Sequence, residues 1–161
     1  YRSINRNSIG IEISNPGHNS TYKKFSKKQI KSVLKLTTFL IKKYNIKPNF
    51  ILGHSDIAPD RKKDPGEKFP WKYFSEKKIG YWHSISEKKL LKKRNQIVNQ
   101  LDKDKFFKNL HKIGYSKKIN LNKNKYSKIV TTAFQRRFRQ ELVNGIIDQE
   151  CLAISKNLLK S

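Results

Sequence analysis

Residues 53–71 read GHSDIAPDRKKDPGEKFPW, and the fold turns on how this stretch is read. It comes after a short apolar run, Asn49, Phe50, Ile51 and Leu52, bounded by Pro48 and Gly53. A run of that length between turn signals has the pattern of a buried strand. His54 then stands at the strand's end, and Asp64 lies further along, immediately before Pro65 and Gly66. Pro59, Pro65 and Pro70 restrict the loop. An imidazole and a carboxylate presented by a strand end and a stiff loop are donors of the type that hold zinc. Taken singly, neither decides anything. A His after a strand is more often a hydrogen-bonded polar residue than a ligand, and an Asp before Pro-Gly is usually a turn residue.

Working outward, residues 8–14 read SIGIEIS. Ile9, Ile11 and Ile13 alternate with Gly10, Glu12 and Ser14, which predicts a strand with one apolar face. Asn15, Pro16 and Gly17 end it. Ser26 and Gln29 have the spacing of a capping box and open a helix. Ile30, Val33, Leu34, Thr37, Leu40, Ile41 and Tyr44 give that helix an apolar stripe, and Pro48 closes the segment. The order strand, helix, strand allows a parallel pair, so this part reads as α/β.

Beyond Trp71 the chain is aromatic and turn-like, with Tyr73, Phe74, Tyr81 and Trp82. A lysine-rich stretch comes next, and a linker is placed at residues 85–104. Three short helical patterns complete the chain. Phe106, Phe107, Leu110 and Ile113 carry the first, closed by Gly114. Ile129, Val130, Ala133, Phe134, Phe138 and Leu142 carry the second, closed by Gly145. Asp148 caps the third, which holds Cys151, Leu152, Leu158 and Leu159. Cys151 is the only cysteine, so no internal disulfide forms.

The formal net charge of the 161 residues is +25. Such a balance attracts polyanions. The lysines, however, are spread along the chain rather than gathered with arginine on one face, so no specific nucleic-acid partner is expected and compositional bias accounts for most of the charge. No apolar run approaches the ~20 residues of a membrane span. The chain begins at Tyr1 and contains no Met.

The strings SIGIEI, GHSDIAP and RKKDPGEKFPW together resemble the zinc-dependent N-acetylmuramoyl-L-alanine amidases of the amidase-2 family. The C-terminal string AFQRRFR (133–139), followed by Asn144, Gly145 and Asp148, resembles the three-helix peptidoglycan-binding-like domains that one subclass of these enzymes carries, with Asn144 where many have Asp. The resemblance implies an α/β architecture. A mixed-sheet amidase domain, in part, would occupy residues 1–84, with the linker at 85–104 and a helical peptidoglycan-binding-like domain at 105–161.

The resemblance also implies roles. His54 and Asp64 match the family's second His and its Asp, two of three protein ligands to a Zn²⁺ cofactor. The first His lies upstream of the glutamate strand in the family, so the resemblance implies an N-terminally truncated chain. His18 is the one other histidine near enough to weigh as a third ligand, with the lining of the cleft as its alternative. Glu12 matches the catalytic glutamate that handles the proton of the attacking water. Lys62 matches a lysine that stabilises the developing oxyanion. Arg61 and Lys63 beside it have no assigned role beyond solvated charge.

The activity implied is hydrolysis of the amide between N-acetylmuramic, or anhydromuramic, acid and L-alanine. The partner is peptidoglycan or a muropeptide, and the setting is a bacterial cell envelope, in the periplasm, with cytoplasmic recycling as the other possibility. The alternative is a non-catalytic peptidoglycan-binding protein, because one zinc ligand is absent from this chain.

Overall fold

The computed structural model describes residues 6–117 and 119–160; the first five residues of the expected amidase part lie outside that range. Helix α1 spans Lys27–Tyr44. Ser26 opens it with the predicted reciprocal cap: its Oγ accepts from the Gln29 amide, and its own amide donates to Gln29 Oε1 at 2.9 Å. Asn45, in the left-handed region at φ 51°, ends it, and Lys42 and Lys43 sit where the helix dipole favours cations. One face of α1, with Ile30, Val33, Leu34 and Ile41, packs on a small core of Phe69, Trp71, Phe74 and Ile79. Leu36, Phe39 and Tyr44 remain exposed.

The structure corrects the expected mixed-sheet α/β architecture. Among the described residues no strand forms, and the single isolated bridge joins Ile97 to Asp148, far from both predicted strands. Residues 8–14 carry no regular structure, and Ile9 is 50% exposed. The predicted strand at 49–52 begins instead as a 3₁₀ turn, Pro48–Phe50. The physical reason is that alternation fixes which side chains share a face, while a strand exists only where its N–H and C=O groups meet a neighbour's ladder. No described segment provides that ladder. Pro48, with its φ preset, also favours the first position of a tight turn.

From His54 onward the regular structure is helical. Short helices α2 (His54–Ile57), α3 (Trp71–Glu76) and α4 (Glu87–Leu91) lead to α5 (Gln100–Ile113), α6 (Lys123–Phe138) and α7 (Gln149–Leu158). Asn99, Asn122 and Asp148 cap the last three through their side-chain oxygens. The core between them holds Phe106, Leu110, Val130, Phe134, Phe138, Cys151 and Ile154, all at most 1% exposed. The stretch 85–104 contains α4 and the first turn of α5. Leu90 packs into that helical core, and Arg94 forms a double hydrogen bond with Glu150 at 2.7 and 2.8 Å. Trp82 packs against both apolar clusters, and Gln140 donates to the Phe69 carbonyl at 2.7 Å. The helical body is thereby in direct contact with the segment beyond His54 and Asp64.

Candidate active site

His54 opens α2 directly after Gly53. Gly53 is buried, and a Cβ there would lie 2.7 Å from Pro65 Cδ and 3.3 Å from the Trp71 ring. Only glycine lets the two loops approach this closely. The Gly53 amide donates to Asp56 Oδ2 at 2.8 Å, which closes the turn behind His54. The Ser55 amide donates to the Asp64 carbonyl at 3.0 Å and fastens the second loop to the first.

This geometry brings the two candidate donors together. His54 Nδ1 and Asp64 Oδ2 are 2.5 Å apart, and both side chains are about half exposed, at 55% and 56%. The two side chains hydrogen-bond each other at an open surface; imidazole nitrogen and carboxylate oxygen are donor types that zinc takes, and holding one ion between them requires the pair to part. They are two donors, and catalytic zinc takes three from protein. Among the described residues no group of three His, Cys, Asp or Glu side chains is arranged to hold a metal.

His18 is placed otherwise. Its Nε2 lies 3.0 Å from Glu67 Oε2, its ring stacks on Tyr22 with centroids 4.3 Å apart, and neither partner is a donor of the His54 pair. Tyr22 Oη donates to the Pro65 carbonyl at 2.7 Å and accepts from the Lys68 amide at 2.9 Å. Arg136, from α6, approaches Glu67 at 3.7 Å. Burial pushes the Glu67 carboxyl up, but the hydrogen bond from His18, a backbone hydrogen bond and the charges of His18 and Arg136 outweigh it, so the group titrates below the ordinary glutamate value. Burial raises the Tyr22 hydroxyl to about 12, which keeps it a neutral donor. Together these residues clamp the loop that carries Asp64.

Lys62 lies on the same loop, where its amide donates to the Ala58 carbonyl at 2.9 Å, and its side chain is partly exposed. Glu12 is exposed, and among the described residues no hydrogen bond or ion pair joins it to the His54–Asp64 pair. Cys151 offers no competing nucleophile: it is buried in the helical core, and burial pushes its thiol up to about 12.

Sequence reasoning missed the residues that hold this site. Asp56 stands inside the quoted motif and is buried, accepting from Gly53, from Arg137 and from Tyr115 Oη. The available signal was Arg137 and Arg139, arginines on either side of Phe138 in an apolar helical pattern; both are at most 2% exposed.

Residues 2–67 match the family model described as N-acetylmuramoyl-L-alanine amidase. The chain is 32% identical over 162 residues to N-acetylmuramoyl-L-alanine amidase AmiD of Escherichia coli (strain K12), an alignment covering 98% of this chain and 58% of AmiD. It is 42% identical over 67 residues to 1,6-anhydro-N-acetylmuramyl-L-alanine amidase AmpD of Enterobacter cloacae, covering 42% of this chain and 34% of AmpD. The chain thus spans about half the length, or less, of these relatives. The solved structure of AmiD with the substrate anhydro-N-acetylmuramic acid-L-Ala-D-gamma-Glu-L-Lys superposes with a TM-score of 0.74 at 30% identity, over 86% of this chain and 54% of that one. AmpDh3 of Pseudomonas aeruginosa superposes with a TM-score of 0.73 at 28% identity, over 89% of this chain and 57% of that one. The chain is thus similar to the family model in its first part and to an N-acetylmuramoyl-L-alanine amidase along nearly its whole length.

Proposed function

We propose that the protein hydrolyses the amide bond between N-acetylmuramic, or anhydromuramic, acid and the L-alanine of peptidoglycan or muropeptides. The observation that carries this reading is that His54 and Asp64, hydrogen-bonded to each other at 2.5 Å, are brought together by two loops fastened behind them. His54 and Asp64 are the residues that would hold zinc. A zinc ion held there would supply a Lewis acid for the amide hydrolysis. Glu12 would take the proton of the attacking water and return it to the leaving L-alanine amine. The Lys62 ammonium would stabilise the negative charge that develops on the carbonyl oxygen. In this reading residues 1–84 belong to the catalytic part, 85–104 connect, and 105–161 form a peptidoglycan-binding-like helical part. The setting it implies is the bacterial envelope or the route that recycles wall fragments.

The test is mass spectrometry of anhydromuramyl-L-Ala-D-γ-Glu-L-Lys incubated with the purified protein. The expected result is free tripeptide and the anhydro-sugar acid, together heavier by one water, with turnover falling by about 10²–10⁴ in Glu12→Gln. Binding to insoluble peptidoglycan with no release of peptide would instead favour a non-catalytic wall-binding protein.

A further inference from the structure

The turn that presents His54 is held by the helical body. Asp56 sits in α2 just beyond His54 and is 8% exposed. Its Oδ2 accepts the Gly53 amide and a hydrogen bond from Arg137 Nη1, and its Oδ1 accepts from Tyr115 Oη at 2.8 Å. Arg137 belongs to α6, and Tyr115 lies just past the end of α5. The other arm of the guanidinium, Nη2, donates to the Ile51 carbonyl at 2.8 Å. One ion pair therefore grips the backbone at both Ile51 and Gly53, the residues leading into His54. The Arg137 guanidinium also lies 4.2 Å from the Trp71 ring centroid and packs against Tyr81 and Phe138.

A buried carboxylate and a buried guanidinium are costly to desolvate, and they persist where geometry is good and the remaining hydrogen-bonding capacity is filled. A module joined by a flexible tether has no use for such a pair. Residues beyond a metal's own ligands orient those ligands through contacts of this kind. The Ser55 hydrogen bond to the Asp64 carbonyl passes any shift of the His54 turn on to the second donor.

We propose that Arg137 and Tyr115 are positioning residues for the His54–Asp64 pair, acting through Asp56, so that the helical body is a working part of the candidate centre. The inference rests on the reading of that pair as metal donors.

Two readouts on the purified protein test it. Amide hydrogen exchange followed by NMR compares Gly53 and Ser55 with Leu110 and Ile154 in the helical core. Zinc titration by calorimetry gives the affinity for Zn²⁺ alone. In Arg137→Lys, which keeps the charge but not the two-armed grip, Gly53 and Ser55 should exchange about tenfold faster while Leu110 and Ile154 hold their rates. The zinc Kd should rise severalfold, less than the roughly tenfold expected for losing a direct partner of a metal ligand, because Arg137 reaches His54 only through Asp56 and the backbone. Tyr115→Phe should shift both readouts in the same direction by less, and it alone decides if Arg137→Lys does not fold. Exchange that rises uniformly, or an unchanged zinc Kd in a folded variant, would mean a merely structural pair and overturn the inference while leaving the donor assignment intact. Failure of the wild type itself to bind zinc overturns the donor assignment, and the inference with it.

Discussion

Glu67 shows how a single side chain governs the loop of Asp64. It receives His18 Nε2 at 3.0 Å and faces Arg136 of the helical body at 3.7 Å. Gly66, beside it, has φ +79°, and a Cβ there would lie 2.5 Å from Tyr22 Oη and 2.6 Å from His18 Cε1, so the clamp closes over a position open to glycine alone. The depressed titration of Glu67 makes a pH prediction. Its contribution to stability is complete above the unfolded value, about 4.3, and is lost as pH falls through the lower folded value. Urea unfolding at a series of pH values should therefore show the wild type losing stability more steeply below about pH 4 than Glu67→Gln; parallel curves would contradict the assignment. That His54 and Asp64 lie together was legible in the sequence because one continuous motif contains both. Glu67, Tyr22 and Arg136 were not, since their partners come from distant segments, and an isolated acid or base in so basic a chain reads as solvated charge.

Among the elements, helix α1 was legible from its cap and stripe because both are local. Ser26 Oγ meets the Gln29 amide at 3.2 Å, as the spacing alone implies. Ser26→Ala should lower stability by about 1 kcal/mol, read as a shift in the urea midpoint with an unchanged slope. An unchanged midpoint would mean that the cap adds nothing to the folded state. The strands were misread for a complementary reason. Alternation at 8–14 and the apolar run at 49–52 specify side-chain faces, but a sheet also needs partners for backbone hydrogen bonds, and that information is not local. Gly114, at φ +121°, shows the opposite case, where a helix stop is written in a single residue, whereas α6 ends at Phe138 with Arg139 as its cap, ahead of the predicted stop at Gly145.

At the scale of the whole molecule, the Arg137–Asp56 ion pair joins two apolar clusters that the sequence suggested were separate. Arg137→Met leaves Asp56 buried without its cation and should cost about 3 kcal/mol or more in unfolding free energy. Loss of less than about 1 kcal/mol, the scale of an exposed pair, would contradict the burial of these two groups. The net charge of +25 was plain from composition, yet its few buried arginines matter more to the architecture than its many exposed lysines. The exposed pair His54 and Asp64, the candidate metal donors, ties these scales together. Its most direct test is the zinc content of the purified protein after dialysis, by elemental analysis, beside His54→Ala and Asp64→Ala. Zinc in the wild type, held more weakly than at a three-donor site and lost in both variants, is the predicted result. Zinc absent from the wild type, or retained in both variants, would contradict the assignment of these two residues as metal donors.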